Sequence, residues 1–377
     1  MKTLYLHIGT PKTATSSLQK FCLMNQHRFQ KYNYAFPLVR PKYPNVPIQR
    51  NAHFLVDSSP RYGEDGTLEK PGDDAPEKQA PRQKRLTDGL DTIHDAFHHY
   101  DNVILTDESL WISFCYNQKN PLDILCEDAK TEDYRIRVIV YLRRQDQYLT
   151  SRWNQFVKHS CDCRTFQEYL DDVLLRWPLI ADYAEALDRI AQKTGKDNVI
   201  VRRFEASSWA GGSVYTDFLN ALGLDHCADF QYPAEEKNAG LTLNYAEIQR
   251  QLNCSNEIPR LQKEFLSRCL RKASDICPKH TEYSFFSAAE TKKFLAGYEE
   301  GNSRVAREYL GETGPLFSEP IAETKKWEPW NEHMGEDLGC YLSLLATTAF
   351  GFDAWKFKYK KMAKSWISGK ETFMPRH

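Results

Sequence analysis

The sequence has almost no excess of charge, since 50 Lys and Arg residues stand against 51 Asp and Glu residues and the formal net charge is -1. Proteins that bind nucleic acid usually carry a basic excess, so the composition does not favour a nucleic-acid partner. Long apolar runs are also lacking, and none approaches the roughly 20 residues of a membrane-spanning helix. Because Lys2 leads directly into a short apolar segment that polar residues interrupt, we expect no signal peptide.

Paired cysteine motifs are lacking as well. The 10 cysteines are scattered, and only Cys161 and Cys163 lie close together. Without a pair of C-x-x-C motifs the sequence offers no obvious zinc site, and we predict no metal ligands. The cysteines are interpreted as reduced, mostly buried thiols of a cytoplasmic protein, with a disulfide between some of them as the alternative.

The first 20 residues predict a strand, a polar loop and the start of a helix. Leu4, Leu6 and Ile8 are apolar and two residues apart, as in a strand, and Gly9 allows a backbone conformation that larger residues resist. The amides and dipole of a helix N-terminus, together with a lysine and several hydroxyls, favour a phosphate or sulfate group. The alternative is an ordinary strand-to-helix turn with a surface lysine. The predicted anion-binding residues are Gly9, Pro11, Lys12, Thr13, Ala14, Thr15, Ser16 and Ser17.

Further strands and helices alternate along the chain, which predicts a parallel α/β sheet flanked by helices. The most apolar segment, VIVYL, ends at Leu142 and is typical of a central strand that is covered on both faces. Residues 57–85 are polar and rich in Pro, Gly and charge, which predicts a loop. The predicted strands are 34–39, 102–106, 135–142 and 198–204, and the predicted helices are 86–100, 179–191, 215–222, 243–270 and 288–309.

A second phosphate-binding pair is predicted at the end of the VIVYL strand. Arg143 follows the strand, and Ser151 lies eight positions later in the next helix. Parallel strands that end side by side would bring this pair near the first loop, where open α/β sheets bind ligands. Arginine offers phosphate a planar fork of donors. The alternative is that Arg143 and Arg144 are solvated surface charges and that Ser151 is a neutral helix residue.

The loop from Gly9 to Ser17 resembles the 5′-phosphosulfate loop of bacterial sulfotransferases, which take a sulfuryl group from 3′-phosphoadenosine 5′-phosphosulfate (PAPS). It is not a Walker A loop, because Thr10 and Pro11 stand where glycine should precede Lys12. The strand, arginine and serine arrangement further along the chain resembles the part of these enzymes that holds the 3′-phosphate of the donor.

For the fold, the resemblance implies a three-layer, P-loop-like α/β domain over about residues 1–320. The polar loop at 57–85 is then an insertion, and residues 235–310 form a mainly helical part. The last segment, 321–377, is expected to be a C-terminal helical extension.

For function, the resemblance implies transfer of a sulfuryl group from PAPS to an acceptor hydroxyl, with adenosine 3′,5′-bisphosphate (PAP) as the leaving product. Lys12 would stabilise charge on the leaving phosphate, while Arg143 and Ser151 would hold the 3′-phosphate, with Arg144 as the alternative to Arg143. A glycan or glycolipid hydroxyl is the expected acceptor. The rival interpretations are a P-loop nucleotide kinase-like enzyme and a non-catalytic nucleotide-binding module.

A general base must take the proton of the acceptor hydroxyl, and related sulfotransferases use Glu or His for this step. Asp107 and Glu108 follow the predicted strand 102–106, and Glu108 is the first candidate. His53 is the second candidate, and Asp107 stays open as a third. The alternatives are that Glu108 is a helix-start carboxylate favoured by the dipole and that His53 is structural.

The C-terminal stretch 355–366 is basic and aromatic. The favoured interpretation is a C-terminal helix that packs its aromatic side chains on the domain and keeps its lysines in water. The alternative is peripheral contact with an anionic membrane surface or with a polyanionic acceptor. The oligomeric state is not predicted.

Overall fold

The computed structural model describes residues 1–39, 43, 46–58, 76–116, 120–159, 162–224, 229–234 and 240–349. The predicted tail at 355–366 lies outside these residues, and so does most of the predicted loop at 57–85. The strands are β1 (Lys2–His7), β2 (Tyr34–Ala35), β3 (Asn102–Thr106), β4 (Tyr134–Leu142), β5 (Val199–Arg203), β6 (Tyr283–Ser284) and β7 (Lys325–Lys326).

The α-helices surround and connect these strands. They are α1 (Thr15–Met24), α2 (Gln26–Lys31), α3 (His53–Asp57), α4 (Pro76–Phe97), α5 (Leu110–Tyr116), α6 (Pro121–Thr131), α7 (Gln145–His159), α8 (Phe166–Arg176), α9 (Tyr183–Thr194), α10 (Val214–Leu222), α11 (Leu243–Cys254), α12 (Arg260–Ile276), α13 (Ala288–Ala296), α14 (Glu299–Val305) and α15 (Met334–Ala349).

Strands β1 to β5 form a parallel sheet in the order β2-β3-β1-β4-β5. Because helices lie between successive strands along the chain, the predicted α/β class is confirmed. His7, the last residue of β1, pairs with Thr106 of β3 and with Ile139 of β4. The loops that follow β1, β3 and β4 therefore emerge at one edge of the sheet.

Both faces of the sheet are covered by buried side chains, as the apolar character of VIVYL predicts. Successive residues of a strand point to opposite faces, and they join two different hydrophobic clusters. The first cluster includes Leu4, Leu6, Val103, Val138 and Val140, and the second includes Tyr5, Ile104, Ile139 and Tyr141. The sheet is thus the middle layer of three, which confirms the predicted fold class.

Several element boundaries differ from the sequence prediction, and three of the differences lie near a proline or a polar segment. Strand β2 stops before Pro37, which has no N–H to donate to a sheet ladder. Helix α4 begins at Pro76, ten residues before the predicted start, because its first turns are polar and lack an apolar period. The predicted helix at 243–270 is two helices, with Pro259 at the N-cap of the second.

The chain forms two compact units. The first unit contains the sheet β1–β5 and consists of Met1–Arg152, Tyr169–Lys237 and Glu290–Ile321. The second unit consists of Trp153–Glu168, Asn238–Ala289 and Ala322–His377. This division differs from the predicted 1–320 domain with an extension, because the segment 238–289 groups with residues after 321.

The second unit is built from α11, α12 and α15 and from the short parallel pair β6 and β7. Phe285, next to β6, packs against Trp153, Phe166 and Trp327. A disulfide joins Cys277 to Cys340, so the expectation that the thiols are reduced is wrong for this pair. Across the described part of the chain, no helix is both long and apolar enough to cross a membrane.

Candidate functional site

The loop after β1 first extends the pairing with β4 and then turns sharply. The amide of Ile8 donates to the Ile139 carbonyl at 3.1 Å, and the amide of Tyr141 donates to the Gly9 carbonyl at 3.0 Å. The loop then has positive φ angles at Gly9 (89°), Lys12 (71°) and Ala14 (56°). Positive φ at two residues other than glycine is uncommon and costs free energy, and such conformations concentrate at ligand-binding sites.

After the turn, the amides at the N-terminus of α1 have few hydrogen-bond partners within the described residues. The Ala14 carbonyl accepts hydrogen bonds from the amides of Ser17 and Leu18, so α1 winds from this residue. No described backbone carbonyl outside the helix accepts from the amides of Thr13 or Ala14. The Thr15 hydroxyl is buried without a hydrogen-bond partner among the described residues. A buried donor of this kind fits a bound oxyanion.

The other predicted hydroxyls of the loop differ in their availability. Thr13 is buried and its hydroxyl donates to the Thr10 carbonyl at 2.5 Å, so it closes the loop and keeps only its lone pairs for other contacts. Ser16 is exposed and Ser17 is half-buried. Pro11 is buried and has no N–H. The predicted anion-binding segment is therefore contiguous, but its members offer different groups.

Arg143 lies against this loop. Its guanidinium donates to the Lys12 carbonyl at 3.3 Å and to the Gln147 side chain at 3.3 Å. It also lies over the Phe204 ring at 5.7 Å. Burial lowers the pKa of Arg143, and no described carboxylate forms an ion pair with it. A half-buried guanidinium without an anionic partner gains from a bound phosphate.

Arg144 is engaged elsewhere. Its side chain is buried and binds Asp146 through two hydrogen bonds, of 2.8 and 3.0 Å, and it donates to the Glu319 carbonyl at 3.0 Å. This geometry assigns Arg144 to holding the chain near residue 319. Of the two neighbouring arginines, Arg143 is the one beside the first loop.

The sheet topology explains why the loop after β1 and the loop after β4 lie side by side. After β1 the chain continues to β2 on one side of the sheet, and after β4 it continues to β5 on the other side. The switch in direction therefore falls between β1 and β4, and ligands of open α/β sheets bind in the crevice outside such a switch point. Lys12 and Arg143 lie on the two loops that border it.

Ser151 is not brought to the loop by any described contact. It is half-buried on α7, two turns after Arg143. No hydrogen bond within the described ranges joins it to Arg143 or to the loop after β1. The pairing of Arg143 with Ser151 stays a prediction.

The end of β3 carries a buried charged cluster formed by Asp107, His53 and Arg50. Asp107 is 0% exposed and accepts from His53 Nδ1 at 3.0 Å and from Arg50 at 2.5 and 3.1 Å. Burial would raise the pKa of Asp107, but the charges and hydrogen bonds of Arg50 and His53 outweigh it and hold the pKa below its usual range. Asp107 is thus an ionised anchor for two side chains.

Glu108 lies next to the first loop. A Cβ atom added to Gly9 would lie 3.3 Å from the Cα atom of Glu108, so the two backbones are in close contact. Burial raises the pKa of Glu108, and the charge of Asp107 raises it further, against the opposing charges of Arg50 and Lys12. A carboxyl group with a raised pKa beside a helix N-terminus is a candidate acid or base.

A small cavity of about 120 Å³ opens beside His53. Arg50, Tyr43 and Ile48 contribute to its lining, and the Tyr43 ring contacts the His53 ring edge-on at 4.8 Å. Sequence reasoning missed Arg50, because a lone arginine in an irregular segment carries no periodic or motif signal. The only available signal was the presence of a buried aspartate at the end of β3 that needed a cation.

Comparison with known proteins gives limited similarity. No family model matches the chain. An uncharacterized protein from Archaeoglobus fulgidus is 30% identical over 179 residues, and the match spans 46% of this chain and 46% of that protein, so less than half of the relative's length. The crystal structure of a sulfotransferase from Alicyclobacillus acidocaldarius is 19% identical with a TM-score of 0.37, and the match covers 63% of this chain and 87% of that one.

Proposed function

We propose that the protein is a sulfotransferase that moves a sulfuryl group from PAPS to an acceptor hydroxyl. The observation that carries the proposal is the position of Arg143, which lies 3.3 Å from the Lys12 carbonyl without a described carboxylate partner. A donor with two anionic ends requires two adjacent anion sites. The loop after β1 supplies one of them, and Arg143 supplies the other.

The residues of the loop fit the 5′-phosphosulfate end. The amides of Thr13 and Ala14 and the buried hydroxyl of Thr15 are donors without described partners. The N-terminal dipole of α1 adds a favourable potential for an anion. Lys12 on the same loop supplies the positive charge that the leaving phosphate needs as its bond to sulfur breaks.

The reaction is an in-line displacement at sulfur. The acceptor oxygen forms a bond to sulfur, the bond from sulfur to the phosphate oxygen breaks, and PAP leaves with the electron pair of that bond. The proton of the acceptor hydroxyl passes to a base at the carboxyl end of β3, where Glu108 and His53 lie. A hydroxyl of a glycan or glycolipid is proposed as the acceptor, on the resemblance of the loop to sulfotransferases.

The charged cluster of β3 favours sulfuryl transfer over a magnesium-dependent phosphoryl transfer. A nucleotide kinase needs a carboxylate near the phosphates for its metal ion. Asp107 ends the strand beside the loop, but its two oxygens already accept hydrogen bonds from Arg50, His53 and the Ser109 amide. The kinase-like alternative would have to break these contacts.

Calorimetric titration with two nucleotides tests the proposal. Arg143→Ala should weaken the binding of PAP at least about tenfold more than the binding of adenosine 5′-monophosphate, because only PAP carries the 3′-phosphate. Arg135→Ala is the matched control, since Arg135 is exposed at the opposite end of β4 and should leave both affinities unchanged.

Two outcomes would contradict the proposal. Wild-type protein that binds ATP with magnesium but not PAP would indicate a kinase-like enzyme. Wild-type protein that binds PAP but fails to transfer labelled sulfate to any glycan or glycolipid in a screen would indicate a binding module.

A selective loss of PAP affinity in Arg144→Ala, without one in Arg143→Ala, would assign the 3′-phosphate to Arg144.

A further inference from the structure

The second unit carries a cluster of side chains that could ligate a metal ion. His280, Glu282 and His333 each offer one ligand atom, and these atoms all lie within 4.8 Å of one another. His333 Nε2 is 3.1 Å from Glu282 Oε1, and His280 Nδ1 is 3.9 Å from the same oxygen. Ligands of a tetrahedral zinc ion, at bonds of about 2.1 Å, are separated by about 3.4 Å.

A buried carboxylate orients one of these histidines. His280 Nε2 lies 3.3 Å from Asp337 Oδ2, and Asp337 is 1% exposed. Asn244 donates to Asp337 at 2.8 Å, which fixes the carboxylate. A hydrogen bond from Nε2–H to Asp337 leaves Nδ1 as the unprotonated, metal-binding nitrogen of His280, and a carboxylate behind a histidine ligand is the usual arrangement at zinc sites.

The backbone holds the ligands on two converging segments. His280 and Glu282 lie in the turn before β6, where His280 has a positive φ of 40°. His333 directly precedes α15, and its ring stacks on the His280 ring with centroids 4.0 Å apart. The disulfide from Cys277 to Cys340 joins the same two segments. The fold therefore fixes the backbone positions of both histidines. Because the lone pair of an imidazole nitrogen lies in the plane of its ring, two stacked rings cannot both point at one ion, and the His333 ring, which Asp337 does not hold, would turn out of the stack when the ion binds.

We propose that His280, Glu282 and His333 bind one zinc ion that ties the turn before β6 to the start of α15. Two imidazoles and one carboxylate suit zinc, whereas magnesium and calcium prefer oxygen ligands throughout. The fourth position is left to water or to another ligand. No sequence motif marks this site, because its ligands lie on segments about 50 residues apart and include no cysteine pair.

Zinc titration against a chromophoric chelator tests the proposal on the intact, untagged protein. We expect one zinc ion per chain and a higher melting temperature with zinc than after chelator treatment. Glu282→Gln, His280→Ala and His333→Ala should each lower zinc affinity about a hundredfold or more. Asp337→Asn should lower it about 10–100-fold, as the loss of a supporting carboxylate does.

Two matched control variants distinguish the loss of a zinc ligand from the loss of a carboxylate or histidine that is not a ligand. Glu332→Gln removes an exposed carboxylate next to His333 that binds Tyr283 and is no ligand, and His98→Ala removes an exposed histidine of the first unit. Both should keep the affinity of the wild type. Because Glu282 is exposed, its variant tests the site even if a histidine variant fails to fold.

The proposal is overturned if the wild type binds no zinc in this titration, or if Glu332→Gln loses as much affinity as Glu282→Gln. It is also overturned if zinc binding survives all three ligand substitutions. A loss of zinc in Cys277→Ser that exceeds the loss in His280→Ala would identify thiolates as the ligands in place of the proposed set.

Discussion

The Nδ1 atom of His53 lies 3.0 Å from Oδ2 of Asp107, and this contact determines what each side chain can do. Arg50 binds the same carboxylate, which keeps it ionised, so Asp107 is a poor proton acceptor. In the neutral tautomer of His53 that donates Nδ1–H to this carboxylate, Nε2 carries the lone pair. Asp107 therefore positions His53 and Arg50, and Glu108 and His53 remain the two proposed bases at the end of β3.

Asp107→Asn should destabilise the protein by about 3–5 kcal/mol, because it leaves the buried charge of Arg50 without its partner. The pKa of Asp107 is lowered in the folded state. Its stabilisation is thus fully present above the unfolded pKa of about 3.9 and is lost as the pH falls through the lower folded value. Urea unfolding at neutral pH measures the difference. Asp172→Asn, in a partly exposed i,i+4 pair with Arg176, should cost under about 1 kcal/mol.

Gly9→Ala should destabilise the loop after β1. The residue has a φ of 89°, and an added Cβ would lie 3.3 Å from the Cα of Glu108. Strain of this kind costs about 1–3 kcal/mol. Thermal unfolding measures it, with Gly314→Ala as the control, since a Cβ at Gly314 meets nothing within 4 Å. Equal melting temperatures for the two variants would mean that the loop adapts freely.

The sheet could be predicted from the sequence because both faces of its strands are buried. The predicted strand 102–106 has the bounds of β3, and VIVYL lies within β4, since continuous apolar runs identify buried parallel strands. The predicted helix 215–222 differs from α10 by one residue, and Gly223 ends it with a φ of 79°. The start of α4 could not be predicted, because its first turns are polar and show no helical spacing of apolar residues.

Only part of the site could be predicted from the sequence. The loop after β1 and Arg143 follow strands at one edge of the sheet, and parallel topology brings such ends together. The contact from Arg50 to Asp107 could not be predicted, because the partners are 57 residues apart along the chain and no local sequence motif identifies them. The histidine and glutamate cluster of the second unit was missed for the same reason.

Lys12→Ala should reduce sulfate transfer about a hundredfold or more, as the loss of a group that stabilises transition-state charge does. The same substitution removes a charge that lowers the pKa of Glu108, so rates should be compared over a range of pH. Single-turnover transfer with labelled donor measures the effect. Lys130→Ala, an exposed lysine on α6, serves as control. Turnover near the wild-type rate in Lys12→Ala would remove the lysine from the mechanism.

Glu108→Gln should make the protein more stable and less active. Because burial raises the folded-state pKa of Glu108, the native chain binds this proton more tightly than the unfolded chain. Stability therefore falls as the pH rises from the unfolded pKa of about 4.3 through the higher folded value. Glutamine removes this cost, so the variant should melt higher at neutral pH, and the advantage should disappear below about pH 4.3. Glu185→Gln, at an exposed position of α9, should not show this pattern.

The activity of the same variant distinguishes the two candidate bases. Glutamine keeps the size and hydrogen bonding of Glu108 but cannot accept the proton of the acceptor hydroxyl, so PAP affinity should persist while single-turnover transfer collapses. The wild-type rate should correspondingly fall as the pH drops through the raised pKa of Glu108. If Glu108→Gln keeps its rate and His53→Ala loses it, His53 is the base that Asp107 orients. If both variants keep their rates, the proton leaves through a group outside this cluster, and the raised pKa of Glu108 has no part in the transfer.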